Sequence, residues 1–68
     1  MNEEKEIFRA VYNLLVKYLS RPIDGHYWMD LIQDGAEIEE AYKTELCVNL
    51  LTAVWLHLEK TKGVGKNV

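Results

Sequence analysis

Residues 44–62 read TELCVNLLTAVWLHLEKTK, and this stretch decides the fold. At about 100° per residue, Glu45, Asn49, Thr52, Glu59 and Lys60, with Leu56 among them, fill only about 100° of a helical wheel. Leu46, Cys47, Val48, Leu50, Leu51, Ala53, Val54, Trp55 and Leu58 fill most of the rest. A helix apolar over roughly 220° of its wheel needs more than one neighbour to cover it. Thr44 is placed to cap its start, with Glu45 in the first turn. Lys60 and Lys62 suit the negative end of the helix dipole, and Gly63 suits the position just past a C-cap. Residues 63–68 offer nothing to pack and are expected to form a flexible C-terminal tail to a single domain over 1–62.

The neighbours lie upstream. A first helix is expected over about 3–20, with Asn2 as its N-cap and Glu3, Glu4 and Glu6 in its first turn. Ile7, Phe8, Val11, Tyr12, Leu14, Leu15, Tyr18 and Leu19 fall on one broad face, and Glu6, Arg9, Asn13, Lys17 and Ser20 fall opposite. Arg21-Pro22 ends it, because the residue before proline is forced out of the helical region. A second helix is expected over about 24–42, capped by Asp24, with an apolar stripe of Tyr27, Trp28, Leu31, Ile32, Ile38 and Tyr42. Asp34-Gly35 offers a possible break, with Asp34 capping a new helix and Glu37 completing a capping box. Continuity is favoured because Gly35 sits mid-stripe, where the missing side chain lets another helix approach the backbone closely. Short connections then give an all-α, up-down-up bundle of three helices.

Composition narrows the function classes. The chain has 68 residues, one cysteine (Cys47) and two histidines (His26 and His57), so an internal disulfide is excluded and no paired zinc spacing exists. A chain of this size builds a marginal core, so close helix packing or association must supply its stability. The acidic start, Asn2-Glu3-Glu4-Lys5-Glu6, is unlike a secretory signal, and no apolar run reaches the roughly 20 residues of a membrane span. A cytoplasmic protein that uses neither a membrane nor nucleic acid is the expectation. The net charge is −3, but residues 24–45 carry seven carboxylates against Lys43 alone, a local net of −6 that repels phosphate backbones.

No catalytic, cofactor or substrate site emerges. His26, Asp30, Asp34 and Glu37 share one arc of the second helix and could face a cation, but no second element supplies a matching Glu-x-x-His or His-x-x-x-His, so a solvated acidic face is the better reading. Glu37-Ile38-Glu39-Glu40 lacks the acidic counterpart on the next helix that small helical nucleotide pyrophosphatases carry; the corresponding turns read Leu50-Leu51-Thr52-Ala53-Val54. Cys47 reads as a small buried hydrophobe and His57 as a boundary residue without a nucleophile beside it. Gly63-Val64-Gly65-Lys66 lacks the strand, the following helix and the hydroxyl residue of a phosphate-binding loop. As a DNA-recognition helix, residues 44–62 offer only Asn49 and Lys60 before the last turn.

The remaining signal is surplus apolar surface. One arc of the third helix (Leu46, Leu50, Ala53, Val54, His57) is expected to serve the core. A second (Val48, Leu51, Trp55, Leu58) is either absorbed by the two neighbouring helices as well or left as an exposed patch that joins another subunit or another protein. Tyr12, Tyr27, Trp28 and Trp55 are aromatic types enriched at interfaces. The expected function is a protein–protein interaction module that forms a homodimer. An acidic effector that binds a basic surface on another protein stands as the alternative, and a metal-dependent hydrolase using the His26–Glu37 face stands behind both.

Tyr27-Trp28-x-x-Leu31-Ile32-x-x-x-Ala36-x-Ile38-x-x-x-Tyr42, followed by Leu50-Leu51-x-Ala53-Val54-x-x-x-Leu58-Glu59, resembles a loose group of short uncharacterised helical proteins from Gram-positive bacteria and their phages or prophages. The likeness spans about residues 22–60 and rests on helix-packing positions, with Gly35 as a departure. It implies a helical fold and a mobile-element origin, and no site residues.

Overall fold

A computed structural model describes residues 2–62 and contains three helices: α1 (Glu3–Ser20), α2 (Tyr27–Ala41) and α3 (Glu45–Lys62). They form an all-α bundle with up-down-up connectivity. The expected tail and the Gly63 cap fall outside the described residues. No helix among the described residues is long and apolar enough to cross a membrane.

The helix ends follow local chemistry. The Asn2 side chain accepts the Lys5 N–H at 3.1 Å, satisfying a donor that the first turn leaves free. Arg21 turns extended at φ −84°, ψ 133°, as the following proline requires. Thr44 Oγ1 accepts the Cys47 N–H at 3.2 Å and starts α3. The start of α2 differs from expectation, for it begins at Tyr27 rather than near Asp24. The Asp24 carboxylate accepts the His26 N–H at 2.9 Å and its carbonyl accepts the Tyr27 N–H at 3.3 Å. Asp24 thus closes a turn at residues 25–26 that leads into the helix.

The core comprises Ile7, Val11, Leu14 and Tyr18 of α1, Tyr27 and Leu31 of α2, and Cys47, Val54 and Leu58 of α3. On α3 the buried line runs between the two arcs read from the sequence. Cys47, Val54 and Leu58 point inward, and Leu46 and Leu50 on one side, with Leu51 and Trp55 on the other, pack partly against them. Ala53 and His57 are exposed. On α1 the broad apolar face divides: Phe8, Tyr12 and Leu19, together with Val16, stay exposed. Tyr27, an interface candidate by residue type, is fully buried.

Helix α2 runs without a break through Asp34-Gly35. Leu51 of α3 does approach Gly35, but a Cβ there would lie 3.8 Å from Leu51 Cδ2, an ordinary contact distance. The glycine is therefore not a steric necessity, and the expectation of a closely packed site is overturned. Replacing Gly35 with alanine should raise unfolding free energy by up to about 1 kcal/mol through helix propensity. Chemical denaturation checks this, and a loss of stability would contradict the spacing.

Candidate functional site: an apolar groove between α2 and α3

The position of α2 is set by polar contacts with α1. Asp34 Oδ2 accepts a hydrogen bond from the Tyr18 hydroxyl at 2.6 Å and one from Lys17 Nζ at 2.9 Å. Arg21 donates to Asp30 Oδ2 at 2.9 Å and reaches Asp24 Oδ1 at 3.4 Å. Lys17, in the last turn of α1, and Arg21, just past its end, stand four residues apart, and Asp30 and Asp34 stand four apart, in reverse order, on the antiparallel α2. Two of the four residues read as an acidic face are thus tethers between helices. His26 and Glu37 are exposed. Among the described residues no group of three or more His, Cys, Asp or Glu side chains could hold a metal ion.

The tether sits at one end of an aromatic chain. Tyr18 and Tyr27 meet edge to face at 5.3 Å, Tyr27 and Trp28 at 4.7 Å, and Trp28 and Trp55 at 5.1 Å, linking all three helices. The Tyr27 hydroxyl donates to the Tyr18 carbonyl at 2.7 Å, so both buried phenols have partners. The Trp55 indole N–H donates to Glu59 Oε2 at 2.8 Å.

With α2 held this way, an open groove of about 310 Å³ lies between α2 and α3. Leu14 and Leu31 lie at its base, Ile32, Gly35 and Ala36 form one wall, and Val48, Leu51 and Trp55 form the other. Ile32 and Val48 on its rim are 58% and 42% exposed, and with Leu51 and Trp55 they make the apolar surface of the groove contiguous. A second depression, lined by Glu39, Glu40, Lys43 and Glu45, continues the groove toward the α2–α3 turn through the shared residues Ala36, Glu39 and Val48.

Of the four interface candidates, Val48, Leu51 and Trp55 line this groove. Leu58 does not: it is fully buried inside the chain, one turn along the Val54 side of α3. Sequence reasoning missed the opposite wall, Ile32 and Ala36, because both fall within or beside a stripe that looked wholly internal. The other candidates carry no reactive geometry. Cys47 is fully buried, with its thiol 3.9 Å from the Ile38 carbonyl, and burial, together with the Glu39 charge, pushes that thiol's pKa up, away from the reactive thiolate. His57 is exposed and meets Thr61 Oγ1 at 3.3 Å.

Comparisons with family models, curated proteins and solved structures return no match.

Hydrogen bonds from Lys17 and Tyr18 hold the Asp34 carboxyl below the ordinary carboxylate value. Burial and the adjacent Asp34 carboxylate push the Tyr18 phenol up to about 12. For Asp34, a folded value below the unfolded one means that the contribution is present above about pH 4 and disappears as pH falls through the folded value. For Tyr18 the contribution is full below about pH 10 and fades as pH rises toward the folded value. Asp34→Asn should therefore cost about 1–3 kcal/mol at pH 7. The gap from the parent should close on acidification below about pH 4, as read by urea melts across pH.

Proposed function

We propose that this chain is a protein–protein interaction module that associates with copies of itself, with Val48, Leu51 and Trp55 in the contact. One observation carries the reading: an apolar groove stands open between two helices, with Ile32 and Val48 exposed on its rim. Side chains of a partner entering such a groove bury apolar area at about 25 cal/mol per Å², and a few of them can offset much of the entropy of association. A Trp at the groove wall, already held by Trp28 and Glu59, adds a rigid anchor of the kind that dominates interface energies. The module is read as cytoplasmic, in keeping with its lone cysteine.

The rival readings draw less support. An acidic effector surface loses Asp30 and Asp34 to Arg21, Lys17 and Tyr18. A hydrolase using the His26–Glu37 face loses the same two carboxylates as free ligands.

Val48→Glu tests the proposal, because Val48 is exposed and the change should leave the fold intact. The parent is expected to show a melting temperature that rises with protein concentration and a sedimentation mass above that of a monomer. Val48→Glu is expected to sediment as a monomer with concentration-independent melting and unchanged helical circular dichroism. A parent that stays monomeric at the highest attainable concentration overturns the proposal.

A further inference from the structure

The groove has a counterpart on the same molecule. Phe8, Tyr12, Val16 and Leu19 of α1 are all exposed, Tyr12 at 64%. At 100° per residue they fall within an arc of about 80°, a narrow apolar stripe in its own right. Lys5 and Arg9, both exposed, lie on or beside the same arc. The stripe points away from the groove: Leu14, at the groove's base, is about 120–160° round α1 from each of the four residues.

We infer that the occupant of the α2–α3 groove is the Phe8–Leu19 stripe of a second copy, so that copies join head to tail. This inference rests on the self-association proposed above and specifies its geometry. Two features match. The first is length: Phe8 to Leu19 spans eleven residue steps, about 16 Å of helix, and the trough runs about as far along the other side, from Thr44 at the start of α3 to Trp55. The second is charge. The α2–α3 turn end of the trough carries Glu39, Glu40 and Glu45 against Lys43, and Lys43 is bridged to Glu40 at 3.3 Å. At the N-terminal end of α1, Lys5 lies one turn before Phe8 on the stripe's arc and Arg9 about 20° off one edge. Glu4 lies about 40° off the other edge and Glu3 and Glu6 lie farther round, so the charges nearest the stripe are the two cations, which complement Glu39 and Glu45.

Matching the charged ends places the incoming α1 parallel to the host's α3, and therefore parallel to the host's own α1. Because stripe and groove lie on opposite sides of the bundle, each added copy leaves one free stripe and one free groove. Such a heterologous contact builds rings or open chains rather than a closed two-fold dimer. An association of this kind grows with concentration beyond two copies.

A pair of complementary variants tests the geometry. Tyr12→Glu spoils the stripe and leaves the groove, and Val48→Glu spoils the groove and leaves the stripe. Both positions are exposed, so both variants should fold, as checked by circular dichroism. Each alone should sediment as a monomer, with association weakened at least tenfold. An equimolar mixture should form a 1:1 heterodimer and stop there, since one intact groove and one intact stripe remain. Arg9→Glu should weaken parent association in a salt-dependent manner, and Glu39→Lys in the other partner should restore it. If the parent associates and Tyr12→Glu associates equally well, the head-to-tail geometry is wrong while self-association stands. If the parent does not associate at all, both fail.

Discussion

The carboxylate of Asp34 fixes which way α2 faces, and the surface of the molecule follows from that. Hydrophobic attraction is not directional, so apolar contacts alone specify the orientation of a helix less sharply than a hydrogen bond does. The 2.6 Å bond from the Tyr18 hydroxyl, with the more exposed 2.9 Å bond from Lys17, sets the Asp34 face of α2 toward α1. With Asp34 turned to α1, Gly35 comes round by about 100° to face Leu51 of α3. Ile32, about 160° from Asp34 on the wheel, is turned to solvent. The groove is the consequence of a polar tether on the opposite side of the same helix.

The same end of the bundle is tied a second time. Lys62 Nζ donates to the carbonyls of Leu19 and Arg21 at 3.0 and 3.1 Å, closing the last turn of α3 onto the unsatisfied carbonyl end of α1. The Arg21 guanidinium lies 5.5 Å from the Tyr18 ring centroid and 5.7 Å from that of Tyr27 while it holds Asp30. Cations, phenols and carboxylates therefore concentrate at the α1–α2 junction. The far end of the groove, by the α2–α3 turn, has an exposed Lys43–Glu40 pair, whose screening by water makes it worth little. Rigidity is concentrated at one end of the groove and accessibility at the other.

Much of the fold was legible because it depends on local chemistry. Asn2, Arg21-Pro22 and Thr44 act within three residues of themselves, and the structure places all three as their residue types require. The apolar girth of residues 44–62 correctly called for two neighbours. What was not legible is orientation. Periodicity gives the width of an apolar face but not its centre, so the buried line of α3 falls on Cys47, Val54 and Leu58, between the arcs assigned to core and interface. Leu58, counted with the outer arc, is inside for this reason. The tether at Asp34 is hidden for a related reason: on its own helix that residue looks like any solvated acid. The available signal was relational, the i, i+4 pair Lys17 and Arg21 answering the i, i+4 pair Asp30 and Asp34 in antiparallel order. That pattern shows only when two helices are read together.

A chain of this length cannot bury every apolar side chain it carries. Three helices of 15 to 18 residues enclose a single line of core positions, and each helix contributes two to four of them. Filling that line with two tyrosines instead of aliphatic residues takes up volume and adds hydroxyls that must find partners, which Asp34 and the Tyr18 carbonyl supply. Ile32, Val48, Val16 and Leu19 lie outside that line and stand at the surface. A partner that covered such side chains would bind only the folded form and would stabilise it by mass action. Two buried tyrosines with directional hydrogen bonds thus hold the three helices in one arrangement, while aliphatic side chains remain at the surface.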